Sequence, residues 1–262
     1  MATLPALFDL NGHTAIVTGG SRGLGLQSAA ALGEAGARML LIARKKDELE
    51  EAVRYLARHG IDASCIAGDI SRSDDINRVC DEALNRLGDV DILVNSAGTT
   101  WGAPAENYPI EAWDRVFDLN VRALFCVSQR IARASMIPRR KGRIINMGSI
   151  MGLRGNGMDI DAIAYNASKS AVHNLTRSLA AEWGEFGITV NAIAPGFFPT
   201  RMTRHTIESL GVDRLAESVP LRRLGVEDDI KGAIVLFASE AGKHITGQIL
   251  SVDGGHSAVL AG

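Results

Sequence analysis

Three cysteines, seven prolines and an aromatic content of only 5% in 262 residues leave little of what several structural classes require. The cysteines Cys65, Cys80 and Cys126 are odd in number and widely spaced, which excludes a disulfide framework and fits a reducing compartment. Charge of one sign is equally scarce. The 28 basic and 30 acidic side chains leave a formal net charge of −2, with no basic excess for a nucleic-acid or anionic-lipid surface. The longest basic run, Arg139-Arg140-Lys141, reads as a solvated loop between a helix and a strand. No apolar run is long enough to span a bilayer, and Met1–Leu10 has neither the basic nor the apolar region of an export signal. The histidines, His13, His59, His173, His205, His244 and His256, show no metal-ligand spacing, so no catalytic metal is expected. The expectation is a cytoplasmic protein with no membrane or nucleic-acid partner.

What is present is glycine (28 residues) and a hydrophobic content of 46%, enough for a large core of helices packed closely on a sheet. Short β-rich runs alternate with amphipathic helical patterns along the whole chain. The expected strands are Thr14–Thr18, Met39–Ala43, Ala63–Ala67, Ile92–Asn95, Arg143–Met147, Thr189–Ala194 and Ile249–Val252. Most are continuous apolar runs, as strands covered on both faces must be. The expected helices span about Leu24–Glu34, Lys46–His59, Ser73–Leu87, Pro109–Met136 and Ala162–Trp183. Pro109 is placed as a first helical residue, and Gly36, Gly60 and Gly88 close helices. This alternation predicts an α/β protein: a doubly wound, parallel, seven-stranded sheet with helices on both faces, one domain over 1–262. Phe197–Leu224 breaks the rhythm after a Pro-Gly turn and is expected to be a substrate lid.

After the first strand comes Thr18-Gly19-Gly20-Ser21-Arg22-Gly23-Leu24-Gly25, followed at once by a helix. Glycines let backbone approach a pyrophosphate, and the helix N-terminus adds oriented N–H groups and positive potential. A loop rich in glycine merely for tight turning is the plainer alternative. The spacing resembles the T-G-x-x-x-G-x-G loop of the short-chain dehydrogenase/reductase family, and the resemblance extends from about Leu10 to Gly255. Asn95-Ser96-Ala97-Gly98 is similar to the family's N-N-A-G turn. Asp69 and Ile70 follow the third strand, where the family contacts adenine. Asn120, Ser149, Tyr165 and Lys169 fall in the order of its catalytic tetrad. Pro195-Gly196, with Phe198 and Thr200, resembles its nicotinamide-side turn. The resemblance implies a Rossmann-like fold, a nicotinamide dinucleotide and a homotetramer.

Charge argues for which dinucleotide. A carboxylate at the end of the second strand would favour NAD and repel a 2′-phosphate. Here that strand ends Ile42-Ala43-Arg44-Lys45-Lys46, and Arg22 projects from the glycine loop nearby. Arg22, Arg44 and Lys45 match a dianionic phosphate, so the expected cofactor is NADP(H).

Reduction of a ketone leaves an alkoxide that needs a proton. Tyr165 and Lys169 stand one helical turn apart on one face, a phenol beside an ammonium. A free phenol has a pKa of about 10, and making it acidic near neutrality takes roughly 4 kcal/mol. Lys169 and an oxidised nicotinamide are expected to supply that. The resemblance further implies that Lys169 holds the nicotinamide ribose, that Ser149 binds the substrate oxygen and that Asn120 anchors a water relaying protons to Lys169. Ser149 and Tyr165 are 16 positions apart, about three more than the family's usual spacing, which a longer loop over Gly152–Ile163 absorbs at little entropic cost. Ser168 is expected to face away from Tyr165.

The substrate is less legible. Gly196-Phe197-Phe198-Pro199-Thr200-Arg201-Met202-Thr203-Arg204-His205 resembles the lid of 3-oxoacyl reductases, with Phe197, Phe198 and Met202 toward an acyl chain. Arg140 matches one basic carrier-docking position, but Phe186 stands at the other, leaving acyl-CoA thioesters or free keto compounds. The alternative is a sugar-acid or polyol dehydrogenase of the gluconate 5-dehydrogenase type, its carboxylate paired with Arg154 or Arg204. A non-catalytic NADP-binding regulator is disfavoured because all four catalytic positions are filled.

Overall fold

The computed structural model describes residues 2–155 and 160–259. Its seven strands are β1 (Thr14–Thr18), β2 (Arg38–Ala43), β3 (Ala63–Ala67), β4 (Ile92–Asn95), β5 (Gly142–Met147), β6 (Ile188–Pro195) and β7 (Ile249–Val252). They form one sheet in the order β3-β2-β1-β4-β5-β6-β7, and every pairing is parallel. All seven expected strands are present, with ends within one residue of those expected. The apolar runs explain this. β1, β4 and β6 are buried along their entire length, as strands sandwiched between helix layers must be.

Helices α1 (Leu4–Phe8), α2 (Gly23–Glu34), α3 (Lys46–Arg58) and α4 (Ser73–Leu87) occupy the first half. Between β4 and β5 a helical run over 110–139 contains α5 (Ile110–Phe117), α6 (Leu124–Ile131) and α7 (Ile137–Arg139), joined by π-helical stretches at Asp118–Ala123 and Ala132–Met136. Helix α8 (Ile163–Trp183) leads into β6. The connection from β6 to β7 carries α9 (Arg204–Leu210), α10 (Val212–Glu217) and α11 (Lys231–Ala238).

Two apolar cores flank the sheet. Ala15 and Val17 of β1 face a layer that includes Leu32, Leu49, Leu56, Ile234 and Phe237, whereas Ile16 faces Val79, Val127 and Leu179. Burying each such large side chain stabilises the fold by about 1.5–3 kcal/mol. The strand order reverses between β1, which turns outward to β2, and β4, which turns outward to β5. A crevice opens above the carboxyl ends of β1 and β4, the usual place for a ligand in such a sheet.

Three expectations change. Pro109 is the cap residue before Ile110, not the first helical residue. Its fixed φ of −65° suits either position, but its ψ of 128° is extended. The single helix expected over Pro109–Met136 is instead interrupted twice by π-helical turns and runs on to Arg139. The basic run is pinned rather than solvated: Arg139 pairs with Asp91 at 3.0 Å and Asp89 at 3.3 Å, and Lys141 with Asp91 at 3.4 Å. Asp91 opens β4's approach and also accepts from the Thr14 amide, so the run ties two strands at their amino ends.

Candidate active site

The glycine loop and the 95–98 turn meet at the crevice. Gly19 has φ +68°, and a Cβ on it would lie 2.8 Å from the Ala97 nitrogen. A Cβ on Gly25 would lie 2.2 Å from the Gly19 carbonyl oxygen, so the first turn of α2 is folded directly onto the loop that precedes it. Neither position has room for a side chain, so loop, turn and helix start close on one another, which would bring the amides of Ser21, Gly23 and Leu24 to a pyrophosphate. Thr18 supports the turn from below, its Oγ1 accepting from the Ser96 and Ala97 amides at 3.2 and 3.3 Å. Thr200 stands over the loop, its methyl 3.6 Å from where a Gly23 Cβ would be.

The remaining expected cofactor residues also lie at carboxyl strand ends, two of them with their side chains turned inward. Asp69, after β3, accepts from the Ser71 amide and hydroxyl at 3.1 and 2.8 Å, and Ile70 beside it is buried. Pro195 closes β6, and the Gly196 amide continues the ladder to Val252 at 3.0 Å. Asn95 does not offer its side chain to the crevice. Its Nδ2 donates inward to Ser128 and Asn146, both at 2.9 Å, and Asn146 donates on to Thr176. Phe198 is 3% exposed, and its ring packs on Gly225, which has no side chain to displace it.

The four candidate catalytic residues converge from three places: the turn after β5, α8 and the first π-helical stretch. Ser149 follows β5, and its Oγ accepts from the Met151 amide at 3.2 Å, leaving its proton free to donate. Its hydroxyl acts on the phenol of Tyr165, in the first turn of α8. One turn on, the Lys169 ammonium lies 5.5 Å from the Tyr165 ring centre and donates to the Met147 carbonyl at 2.7 Å. Asn120 sits in the first π-helical stretch, where such turns often mark functional positions. Its amide is committed: Oδ1 accepts from Thr99 at 2.8 Å, and Nδ2 donates to the Thr99 carbonyl and the Ser168 hydroxyl at 3.0 and 2.9 Å. Gly98 lies between Asn120 and Lys169, its missing side chain leaving space toward both (3.3 Å to Oδ1, 3.7 Å to Nζ). Ser168, expected apart from this group, links it: its hydroxyl donates to the Tyr165 carbonyl at 2.7 Å.

The electrostatics differ from expectation. Burial pushes the Tyr165 phenol up, only partly opposed by the Ser149 hydroxyl. Burial also lowers Lys169 itself, to about 8. With both groups desolvated, the chain alone holds a neutral phenol beside a weakened cation.

Two residues here were not anticipated. His173 lies four positions beyond Lys169 on the same face of α8, a spacing legible in the sequence. Its Nε2 accepts from the Ser149 amide at 3.4 Å, and a Cβ on Gly148 would lie 2.4 Å from that nitrogen. Burial, first, and then the nearby Lys169 lower His173 from 6.5 to about 4. The unfolded chain therefore binds a proton below pH 6.5 that the folded chain refuses until about pH 4. Stability from this group is present above 6.5 and lost as pH falls toward 4, by at most about 3 kcal/mol. In His173→Gln, urea midpoints are expected to fall less between pH 7 and pH 4.5 than in wild type. Identical slopes in both proteins would reject the assignment. Glu48, in the first turn of α3, is the second. It gathers Arg22 (2.8 Å), Lys45 (3.0 Å) and Arg201 (3.5 Å), while Arg44 is exposed at the end of β2.

The loop expected over Gly152–Ile163 borders Tyr165, but 156–159 lie outside the described residues. Arg154, within it, donates to the Val259 carbonyl at 3.1 Å. Phe197 meets His256 edge-on at 5.8 Å, and Met202 is exposed. Arg140 lies over the Phe186 ring at 5.9 Å.

A family model described as short chain dehydrogenase matches residues 13–210. The rhamnolipids biosynthesis 3-oxoacyl-[acyl-carrier-protein] reductase of Pseudomonas aeruginosa is 40% identical over 253 residues, 95% of this chain and 97% of that protein. Gluconate 5-dehydrogenase of Gluconobacter oxydans is 37% identical over 253 residues, covering 96% and 97%. Among solved structures, a gluconate 5-dehydrogenase from Burkholderia cenocepacia in complex with NADP and tartrate superposes with a TM-score of 0.92. It is 33% identical, over 98% of this chain and 100% of that one.

Proposed function

This chain belongs to the short-chain dehydrogenase family, and from that premise we propose that it is an NADP(H)-dependent oxidoreductase interconverting a ketone and a secondary alcohol. The observation that carries the reading is the placement of Tyr165 and Lys169 one helical turn apart on α8, the ammonium 5.5 Å from the ring centre, beside Ser149 and the glycine loop. When bound, the reduced dinucleotide supplies the hydride. Gly19, Ser21, Gly23, Leu24 and Gly25 would hold its pyrophosphate, Arg22, Arg44 and Lys45 its 2′-phosphate, and Asp69 and Ile70 the adenine side. Ala97, Gly98, Pro195, Gly196 and Thr200 would line the nicotinamide side.

The chain's own residues do the rest. Ser149 donates to the carbonyl oxygen, which accumulates charge as the ketone is reduced. Tyr165 gives that oxygen its proton, and Lys169 favours the phenolate left behind. Asn120 fixes the neighbouring backbone through Thr99 and Ser168. A phenol raised by burial is protonated at neutral pH, the form that reduction consumes.

The substrate class we propose is a 3-oxoacyl thioester. The pairing of Arg140 with Phe186 argues against a carrier protein and for a CoA thioester or a free keto compound. A second reading, a sugar-acid or polyol dehydrogenase, gains from the burial of Phe198, which removes one apolar contact for an acyl chain. Segment 197–224 would act as the lid, within one domain over 1–262. A cytoplasmic homotetramer, paired through the apolar helices over 110–139 and α8, completes the proposal. Among the described residues, no helix is long and apolar enough to cross a membrane.

NADPH oxidation against a panel of 3-oxoacyl thioesters, keto-sugar acids, cyclic ketones and aldehydes tests it. Turnover of keto-sugar acids alone would favour the second reading, and binding without turnover of any carbonyl would reject both. Arg44→Asp is expected to lower the NADPH-to-NADH preference about ten- to a hundredfold, since it replaces a charge-assisted donor by a repelling carboxylate. An unchanged ratio would move the 2′-phosphate contact to Arg22 and Lys45.

A further inference from the structure

Glu48 receives three cations from three separate parts of the chain. Arg22 comes from the glycine loop and reaches both carboxylate oxygens through Nη1, at 2.8 and 3.0 Å. Lys45 comes from the corner between β2 and α3, at 3.0 Å, and Arg201 from the segment after β6, at 3.5 Å. All three are long, exposed side chains, 47–61% accessible, against 29% for Glu48. Their convergence reflects a shared counter-ion, and the first turn of α3 further favours an anion there. Arg44, beside them, makes no ion pair among the described residues.

We infer that Glu48 is a specificity-determining residue of the cofactor site, an internal carboxylate that occupies the cations a 2′-phosphate would use and so competes with it. The inference rests on the NADP(H) reading above. A phosphate reaching Arg22 and Lys45 must displace the carboxylate or share those donors with it, and in either case like charges are brought together. A dinucleotide that carries a 2′-hydroxyl makes no such demand. Glu48 therefore holds back the phosphorylated cofactor selectively. Exposed pairs are individually weak, so the effect is a moderate one.

The test is direct binding of NADPH and of NADH to the full-length protein, by fluorescence titration, in wild type, Glu48→Gln and Glu48→Ala. Removing the carboxylate is expected to tighten NADPH about three- to tenfold. NADH should move by less than roughly twofold, and the NADPH gain should shrink at high salt. Two variants separate charge from hydrogen bonding, because Gln keeps an acceptor for Arg22 and Ala does not, and both should move NADPH in the same direction. If wild type prefers NADPH while both variants bind it no better or more weakly, Glu48 is a strut for Arg22 and the inference fails alone. If wild type prefers NADH and neither variant gains affinity for NADPH, the cofactor reading fails and takes the inference with it.

Discussion

Tyr165→Phe is expected to reduce turnover about a thousandfold while leaving NADPH affinity nearly unchanged, the loss typical of removing a positioned proton donor. The substitution deletes one oxygen and keeps the ring, whose centre lies 5.5 Å from the Lys169 nitrogen. Packing in the first turn of α8 is therefore retained, and the glycine loop, which belongs to other elements, is untouched. Ser149 remains to polarise a carbonyl, so a small residual rate is expected rather than none. The proton is the missing component. Because burial raises the Tyr165 phenol, reduction by wild type should stay level through neutral pH and fall only at alkaline pH, where the phenol ionises. Steady-state rates with saturating NADPH, paired with a titration of cofactor binding, decide the matter. A variant within tenfold of wild type would show that another group, or solvent, delivers the proton.

The sheet was legible because burial on both faces leaves a signature that local residues carry by themselves. A run such as Ile92–Asn95 has no polar face to offer solvent, and Gly36, Gly60 and Gly88, all at positive φ, mark where helices stop. Parts of the candidate site were legible for the same reason: the spacing of Tyr165 and Lys169 is a property of one helix. Contacts made between distant elements were not. The inward ladder from Asn95 to Asn146 and Thr176 depends on β4, β5 and α8 lying side by side, and the motif that contains Asn95 does not reveal it. The π-helical turn that carries Asn120 has no composition of its own, since one extra backbone residue per turn is invisible to side-chain periodicity. Helix α11, Lys-Gly-Ala-Ile-Val-Leu-Phe-Ala, was missed because eight largely apolar residues show no face. The burial of Phe198 is not legible because nothing local shows that Gly225 offers its ring a slot.

Lys169→Met should yield a protein that is more stable and nearly inactive. In wild type the ammonium is buried and donates to the Met147 carbonyl at 2.7 Å, and burial lowers it from 10.5 to about 8. Keeping that charge in the folded state costs about 3 kcal/mol. The cost is fully present below about pH 8. It disappears as pH rises from 8 to 10.5, because the folded lysine gives up its proton while the unfolded one still holds it. Methionine has nearly the same volume and no charge, so it removes the cost and leaves one carbonyl without its donor, a loss of about 1–2 kcal/mol. The balance favours the variant by about 1–2 kcal/mol at pH 7. Turnover should fall at least about a hundredfold, because the phenolate left by proton transfer loses its neighbouring cation. Urea denaturation at pH 7 and pH 9.5 measures both parts of the argument: the variant's advantage should be clear at the lower pH and mostly gone at the higher. Comparing the two proteins cancels Cys80, on which Lys169 does not act, while the buried Tyr165 phenol stays protonated at both pH values. A variant less stable than wild type at pH 7, or an advantage that does not change with pH, would mean that the ammonium is not held at a cost. The stability–activity conflict would then lie elsewhere in the site.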